Sequence, residues 1–519
     1  DLAPELPDQT NSLFATSGTC TVCHQGMQDQ AGNNVSTDTL WRGAMMANAS
    51  RDPYWQASVK SQLINVPALA DDLEDKCSTC HMPMARFVSA QENDPGTIFG
   101  TGFLNPDHPG HTFAMDGVSC TLCHQVEDDN FGQESSYSGG FLLDTERPFG
   151  SRNAYGPYPT NDRYELIMGM PSGFLPEQSL HVGQSELCAT CHTLYTPYVD
   201  GQGEIAGFFP EQVPYFEWIQ SKFVDEKSCQ DCHMPPAQGG VVLSATGGEP
   251  RSPFYRHLFV GGNTYVLRLL RNFGDEIGVT ASSKHFERKI QDTLTQLQQN
   301  AARLEITDYK VENGQLRVDL EVENLTGHKF PTAFPSRRAW IHVVLNNARG
   351  EILYESGDFD ETGKILDGAH DQEPGVYDLH LDVVDDSDQV QIYETVLNDV
   401  EGGVTTILLN ASGYIKDNRL LPAGFEKDSP LKDTEVVGNA REDENFRGGS
   451  DQVTYLIDLV DQKGPYTIRA ELLYQSIAYR WAINLERDNS VEGDRFIRYY
   501  RATPNWPVLI SVDEKKLSP

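Results

Sequence analysis

Every cysteine in this 519-residue chain belongs to one repeated pentapeptide, and no other feature restricts the fold as tightly. The five copies are Cys20-Thr-Val-Cys23-His24, Cys77-Ser-Thr-Cys80-His81, Cys120-Thr-Leu-Cys123-His124, Cys188-Ala-Thr-Cys191-His192 and Cys229-Gln-Asp-Cys232-His233. All ten thiols are used, so none remains for a structural disulfide. Two thiols three positions apart reach the two vinyl groups of one haem, and the residue that follows delivers an imidazole to the iron. A zinc site would want four ligands, usually from two paired Cys elements, and would not require a histidine after each second cysteine. Redox-active dithiols fit poorly without a thioredoxin-like βαβ pattern. The spacing therefore predicts five haem c groups held by thioether bonds, with His24, His81, His124, His192 and His233 as proximal iron ligands.

All nine methionines also precede residue 235, so Cys and Met are both missing from the last 285 residues. The region before about residue 250 is rich in Gly, Pro and short polar stretches, as expected where cofactors fill the core. Helices are expected over 52–75 and 214–223, from a cap at Asn263, and over 283–304. Beyond Leu304 the apolar period becomes two. Segments 303–311, 315–322, 338–345, 390–397, 453–459 and 466–474 alternate apolar with polar residues between Gly, Asn or Asp turns. The expected fold is α+β. A haem-packed, low-secondary-structure multihaem domain with a few helices over 1–304 precedes an all-β sandwich-like domain over 305–519.

Lys and Arg number 40 against 76 Asp and Glu, a net charge of −36. That balance argues against nucleic acid or an acidic membrane surface as partner and suits a basic protein better. Mean hydropathy is −0.46, and no apolar run approaches the roughly 18 residues of a membrane span. The chain begins at Asp1 without a charged segment and apolar core, and is read as a mature product whose signal peptide was removed. Haem attachment to cysteine takes place outside the cytoplasm, so the expected location is periplasmic or extracellular.

A vacant sixth iron position binds substrates, whereas a filled one leaves a haem to carry electrons. Nine histidines lie outside the motifs, at 108, 111, 181, 257, 285, 328, 342, 370 and 380. His342, His370 and His380 stand in strand or acidic turn contexts and are set aside as structural. His111 leads into the third motif, and His181 precedes the fourth by seven residues. His257 lies before Gly261 and Gly262, which allow close backbone approach to a flat ring. His328 sits in a Gly-His-Lys loop bounded by Pro331 and Pro335. As an iron ligand it would bolt the β-domain to the haems. His108 and His285 stand behind these four. Arg337 and Arg338 are candidates to pair with haem propionates or acidic neighbours.

These residues resemble the multihaem c-type cytochromes of bacteria and archaea, some of which carry a β-rich C-terminal domain. The resemblance rests on the five motifs, on His81-Met-Pro83 and His233-Met-Pro235, and on the Gly-His-Thr-Phe, Phe-Val-Gly-Gly-Asn and Thr326-Gly-His-Lys-Phe-Pro-Thr332 segments. It covers roughly residues 15–340. It implies haems that are mostly bis-histidine ligated and stacked in a wire. One departure stands out: where related cytochromes often read Trp-x-x-Ser-Met-His-Ala, this chain reads Trp41-Arg-Gly-Ala-Met-Met-Ala47. Met46 thus replaces a distal histidine, and methionine raises the potential relative to a second histidine. The chain is also similar to the pentahaem nitrite reductases in haem number. It lacks their C-x-x-C-K motif, and its C-terminal third reads as strands rather than long helices.

The expected function is electron transfer by a secreted pentahaem cytochrome, an electron carrier rather than a catalyst, with Met46, His111, His181, His257 and His328 as distal ligands. Its partners would be other redox proteins, such as cytochromes, or extracellular electron acceptors. A second reading makes it the subunit of an extracellular conductive filament, a homo-polymer with an interchain iron ligand. A third makes it a reductase of small nitrogen oxyanions with one open haem site.

Overall fold

Alternation of period two in the second half of the chain becomes a pair of packed sheets, while the motif-bearing part folds as short helices. The structure, a computed structural model, describes residues 3–431, 433–459 and 464–517. The architecture is α+β. The chain forms two compact units. One comprises Asp1–His192, Lys227–Thr293 and Ser490–Phe496, the other Thr193–Glu226, Leu294–Asn489 and Ile497–Pro519. All five motifs belong to the first unit. The segment between the fourth and fifth motifs belongs to the second.

In the first unit, Asp52 caps the helix Pro53–Asn65 by accepting hydrogen bonds from the backbone amides of Tyr54 at 2.8 Å and Trp55 at 3.2 Å. Pro53 fills the first helical position, where its missing N–H costs nothing. The single helix expected over 52–75 is two. Pro67 disfavours helical backbone at Val66, so the chain leaves the helix there, makes a short turn over Pro67–Leu69 and restarts as Ala70–His81. That second helix ends on the second motif. The cysteines of the third motif lie in the helix Cys120–Cys123, with His124 at its C-cap, and the fourth and fifth motifs lie within Ser185–His192 and Cys229–His233. A helical turn sets residues i and i+3 on one face, which turns both thiols of a motif the same way. The Asn263 side chain accepts from the Val266 amide at 3.0 Å and starts the helix Thr264–Asn272, as its sequence predicts.

Thirteen strands of the second unit are numbered here in chain order: β1 Leu194–Val199, β2 Ile205–Gln212, β3 Ala302–Glu312, β4 Gln315–Asn324, β5 Arg338–Asn347, β6 Ile352–Ser356, β7 Val383–Val384, β8 Ile392–Asn398, β9 Val404–Thr405, β10 Gly413–Asp417, β11 Ser450–Asp458, β12 Tyr466–Gln475 and β13 Val508–Leu517. β1 and β2 form a separate antiparallel ribbon. A four-stranded sheet runs β7-β11-β4-β3. A seven-stranded sheet runs β9-β8-β5-β12-β13, with β6 also paired to β5 and β10 to β8. Leu316, Val318, Leu320 and Val322 of β4 share one buried cluster with Ile341, Val343 and Leu345 of β5 and Ile468, Ala470 and Leu472 of β12. Each of the Leu, Ile and Val side chains contributes about 1.5–3 kcal/mol of apolar burial before entropy is charged against it. β8 breaks the alternation, with six successive buried residues from Ile392 to Leu397. Its second face is covered by Phe209, Leu408 and Ala411, which pack with Leu397. A short helix, Tyr479–Asn484, follows β12.

A network of four buried charges braces this unit. Glu217 takes the Lys329 amide at 3.0 Å and the Thr332 hydroxyl at 2.5 Å, and pairs with Arg419 at 2.9 Å. Arg419 forks onto Asp417 at 2.9 and 2.8 Å, and Lys329 Nζ meets Asp417 at 2.7 Å. Two cations and two anions close the set, so each of these four charges has a partner of opposite sign. Among the described residues, no helix is long and apolar enough to cross a membrane.

Candidate functional site

The motif histidines His24, His81, His124 and His233 are turned the same way. Nδ1 of His24 donates to the Leu243 carbonyl at 2.8 Å, His81 to Ala49 at 3.1 Å, His124 to Tyr155 at 2.6 Å and His233 to Val260 at 2.5 Å. A proton held on Nδ1 leaves the lone pair on Nε2, the arrangement that a metal-bound imidazole takes. Burial pushes His81 down to about 4, outweighing the hydrogen bond to Ala49, and lowers His24 and His124 likewise. These rings are therefore neutral at pH 7 and fit an iron ligand.

The thiols of different motifs meet. Cys20 lies beside Cys120, Cys80 beside Cys191, and Cys188 beside Cys229. The neighbouring thiol, followed by burial, pushes Cys20, Cys80 and Cys188 up, while the same closeness lowers Cys191 and Cys229. Burial raises Cys123 to about 12, with Cys191 and Cys120 adding to the effect. The first motif thus adjoins the third, and the fourth adjoins the second, third and fifth. No two of the ten cysteines are joined as a disulfide. Paired thiols on helical turns, each followed by a neutral imidazole, are the donor set that a covalently held haem requires.

The segment around Met46 runs between two motifs. The Met46 carbonyl accepts from the Val118 amide at 3.0 Å, two residues before Cys120, and the Ala49 carbonyl holds His81. Trp41 Nε1 donates to the Val118 carbonyl at 2.9 Å. Gly117, with φ +64°, makes this approach feasible, since a Cβ there would lie 2.7 Å from the Met46 carbonyl oxygen.

The distal candidates differ in ring polarity. His111 opens the helix His111–Met115 and donates Nδ1–H to the Phe103 carbonyl at 2.8 Å, the polarity of the motif histidines. In His108 the reverse holds: Nδ1 accepts from the Gly110 amide at 3.0 Å, which places the proton of the neutral ring on Nε2. His285 is like His108, with Nδ1 accepting from the Ser282 amide at 3.1 Å. His181 is buried with both nitrogens engaged, Nδ1 on Ser179 Oγ at 2.6 Å and Nε2 on the Val126 carbonyl at 2.8 Å. His257 stacks near His124 at 6.2 Å, and its buried Nδ1 has no hydrogen-bond partner. Burial, with smaller contributions from His124 and His24, pushes it down to about 3. The loop that presents it bends at Phe259, a bulky residue with φ +47°, rather than at the glycines that follow. In the second unit, His328 Nδ1 contacts the Lys329 carbonyl at 2.9 Å, again the polarity of the motif histidines.

His342, His370 and His380 sit in polar networks of the second unit. His342 bridges Glu471 and Glu355, His370 faces Glu394 at 3.2 Å, and His380 meets Asp443 at 3.0 Å. Arg338 is fully buried and pairs with Asp371 at 2.7 Å, an acidic neighbour, while Arg337 donates to the Thr332 carbonyl. Sequence reasoning did not single out Trp55, whose indole stacks on His81. Its place one turn into the helix capped by Asp52 is the signal that bears on it.

No family model matches the chain, and no curated protein does. Among solved structures, the fold is similar to that of a penta-heme cytochrome c552 from Thermochromatium tepidum. The TM-score is 0.51 and the identity 16%, over 93% of this chain and 96% of that one. The likeness is one of fold: an α+β arrangement shared along nearly the whole of both chains.

Proposed function

We propose that this chain is a pentahaem c-type cytochrome that carries electrons between redox partners outside the cytoplasm. The observation that carries this reading is the meeting of thiols from separate motifs, which makes neighbours of the groups those thiols would hold. Haem c supplies a one-electron couple at its iron when bound. The chain's own residues do the rest. Ten cysteines bind, five imidazoles ligate, and the carbonyls of Leu243, Ala49, Tyr155 and Val260 fix four of those rings by their Nδ1 protons. Fully buried Met82 and Met84, together with Phe14 and Phe103, keep water from the first unit's interior.

The proposed distal set is Met46, His111, His181, His257 and His328. Ring polarity supports His111 and His328, closeness to His124 supports His257, and the anchoring of its backbone beside the third motif supports Met46. His181 would exchange the Val126 carbonyl for iron. The penta-heme cytochrome of similar fold supports the haem reading, and the cysteine chemistry supports a periplasmic or extracellular site of action.

The test is the intact mass and paramagnetic-resonance spectrum of protein matured with haem. Five haem masses and a wholly low-spin oxidised spectrum are expected. Fewer than five, or a high-spin signal accompanied by nitrite-dependent turnover, overturns the reading in favour of a different complement or of a reductase. Light scattering of the same sample distinguishes a discrete carrier from a polymer.

A further inference from the structure

Two clusters in the second unit gather one histidine and two carboxylates closely enough to hold a cation: His342 with Glu355 and Asp358, and His380 with Asp443 and Asp451. Hydrogen bonding separates them. Nδ1 of His380 faces two amide NH2 groups, Gln391 Nε2 at 2.8 Å and Asn418 Nδ2 at 3.0 Å. Neither amide can flip, because Gln391 Oε1 accepts from the Leu381 amide and Asn418 Oδ1 from the Glu394 amide. Nδ1 is therefore an acceptor, the proton of the ring is on Nε2, and that nitrogen donates to Asp443. His380 has no lone pair to offer a metal on its carboxylate side.

His342 is built the other way. It stands in β5 directly across from Glu471 of β12, and its Nδ1 lies 3.0 Å from Glu471 Oε2. A carboxylate on each side makes both ring nitrogens donors in the metal-free state, and it is the Nδ1 proton that Glu471 retains when Nε2 gives up the proton it shares with Glu355, so the lone pair released is on Nε2, as in the carboxylate–histidine–metal arrangement of zinc sites. Arg469 holds the other oxygen of Glu471. On the Nε2 side, Glu355 of β6 lies at 3.1 Å, and a ligand atom from each of His342, Glu355 and Asp358 falls within 4.8 Å of the others. Asp358 is brought back by a turn at Gly357, which has φ +86° and where a Cβ would lie only 2.5 Å from the Ile341 carbonyl oxygen. The amides of Gly357 and Asp358 both donate to Asp367, which fixes that turn. All three candidate ligands are half-buried and open to solvent.

We propose that His342 Nε2, Glu355 and Asp358 form a binding site for a divalent cation of the zinc class, with Glu471 positioning the imidazole. One nitrogen and two carboxylates suit zinc or a neighbouring transition ion better than calcium or magnesium, which prefer oxygen alone. Water fills the remaining coordination. Binding takes the place of any proton on Nε2, which leaves to solvent, and separates the ring from Glu355 only to join both through the metal. The ion would clip β6 and the turn after it onto the central strand of the seven-stranded sheet.

The test is calorimetric titration of zinc chloride into the full-length, haem-loaded protein after chelator treatment. One saturable equivalent is expected, weakened about tenfold or more by E355Q, by D358N and by the positioning change E471Q, and lost in H342Q. D443N, in the cluster that hydrogen bonding excludes, should leave the isotherm unchanged. Melting profiles without zinc are recorded first, and E355Q decides if D358N does not fold. Saturation by zinc should raise the melting temperature of the wild type and not that of H342Q. No saturable equivalent, or E355Q and H342Q binding as the wild type does, overturns the proposal, as does loss of binding in D443N alone.

Discussion

The indole of Trp55 lies flat on the imidazole of His81, with ring centroids 4.3 Å apart and planes 6° from parallel. The two residues come from different helices, and the stack covers one face of a motif histidine whose Nδ1 is already held by Ala49. Replacing Trp55 by leucine should remove an aromatic pair worth about 1 kcal/mol and admit water beside the ring. Water favours the more highly charged oxidised centre, so one component of a potentiometric titration should move to lower potential while the others stay. An unchanged titration curve would show that the stack is packing alone.

His111 and His108 are three residues apart and oppositely polarised. His111→Ala should convert one low-spin haem to high spin in the paramagnetic-resonance spectrum of the oxidised protein. His108→Ala should leave every haem low-spin. The converse result would assign the ligand to His108.

Asp52 caps a helix while buried, and burial pushes its carboxyl up to about 6 from 3.8, against the two backbone hydrogen bonds it accepts. The native state therefore keeps a proton that the unfolded chain has released over this range, so this group's contribution falls as pH rises from about 4 to about 6. Asp52→Asn keeps a capping oxygen and removes the charge. Urea unfolding should show D52N matching the wild type near pH 4 and exceeding it at pH 7.

The Glu217, Arg419, Asp417 and Lys329 network is balanced, so losing one member leaves a buried charge unmatched. Glu217→Gln should destabilise the protein by about 3–5 kcal/mol in denaturant unfolding. Burial opposes ionisation of Asp417, but Arg419 and Lys329 prevail and hold it down to about 2. A carboxyl depressed in the folded state lends stability above about pH 4, and that contribution is lost as pH falls towards 2. Acid unfolding of Asp417→Asn should lack this step.

Patterns that depend on near neighbours were readable without a structure. The five motifs, the Asn263 cap and the alternation of β4, β5, β11 and β12 all follow from residues a few positions apart. The break at Val66 was missed, since one helix was expected over 52–75, although Pro67 is its local cause. Ring polarity was not readable, because it depends on carbonyls far along the chain: Leu243 holds His24 across 219 residues and Tyr155 holds His124 across 31. The balanced charges were equally hidden, with Lys329 and Asp417 separated by 88 residues. The strands β1 and β2 carry no strict alternation, and nothing in their sequence tells that they fold with the later sheets.

The closeness of Cys20 to Cys120, Cys80 to Cys191 and Cys188 to Cys229 also bears on how the molecule is made. A chain that reached this fold with bare thiols would hold three sulfur pairs from different motifs in contact. In an oxidising compartment each pair is poised to cross-link, and each cross-link would take two motifs out of use. If these thiols carry haem, as proposed, thioether formation would have to precede collapse, and maturation would set the order in which the chain folds.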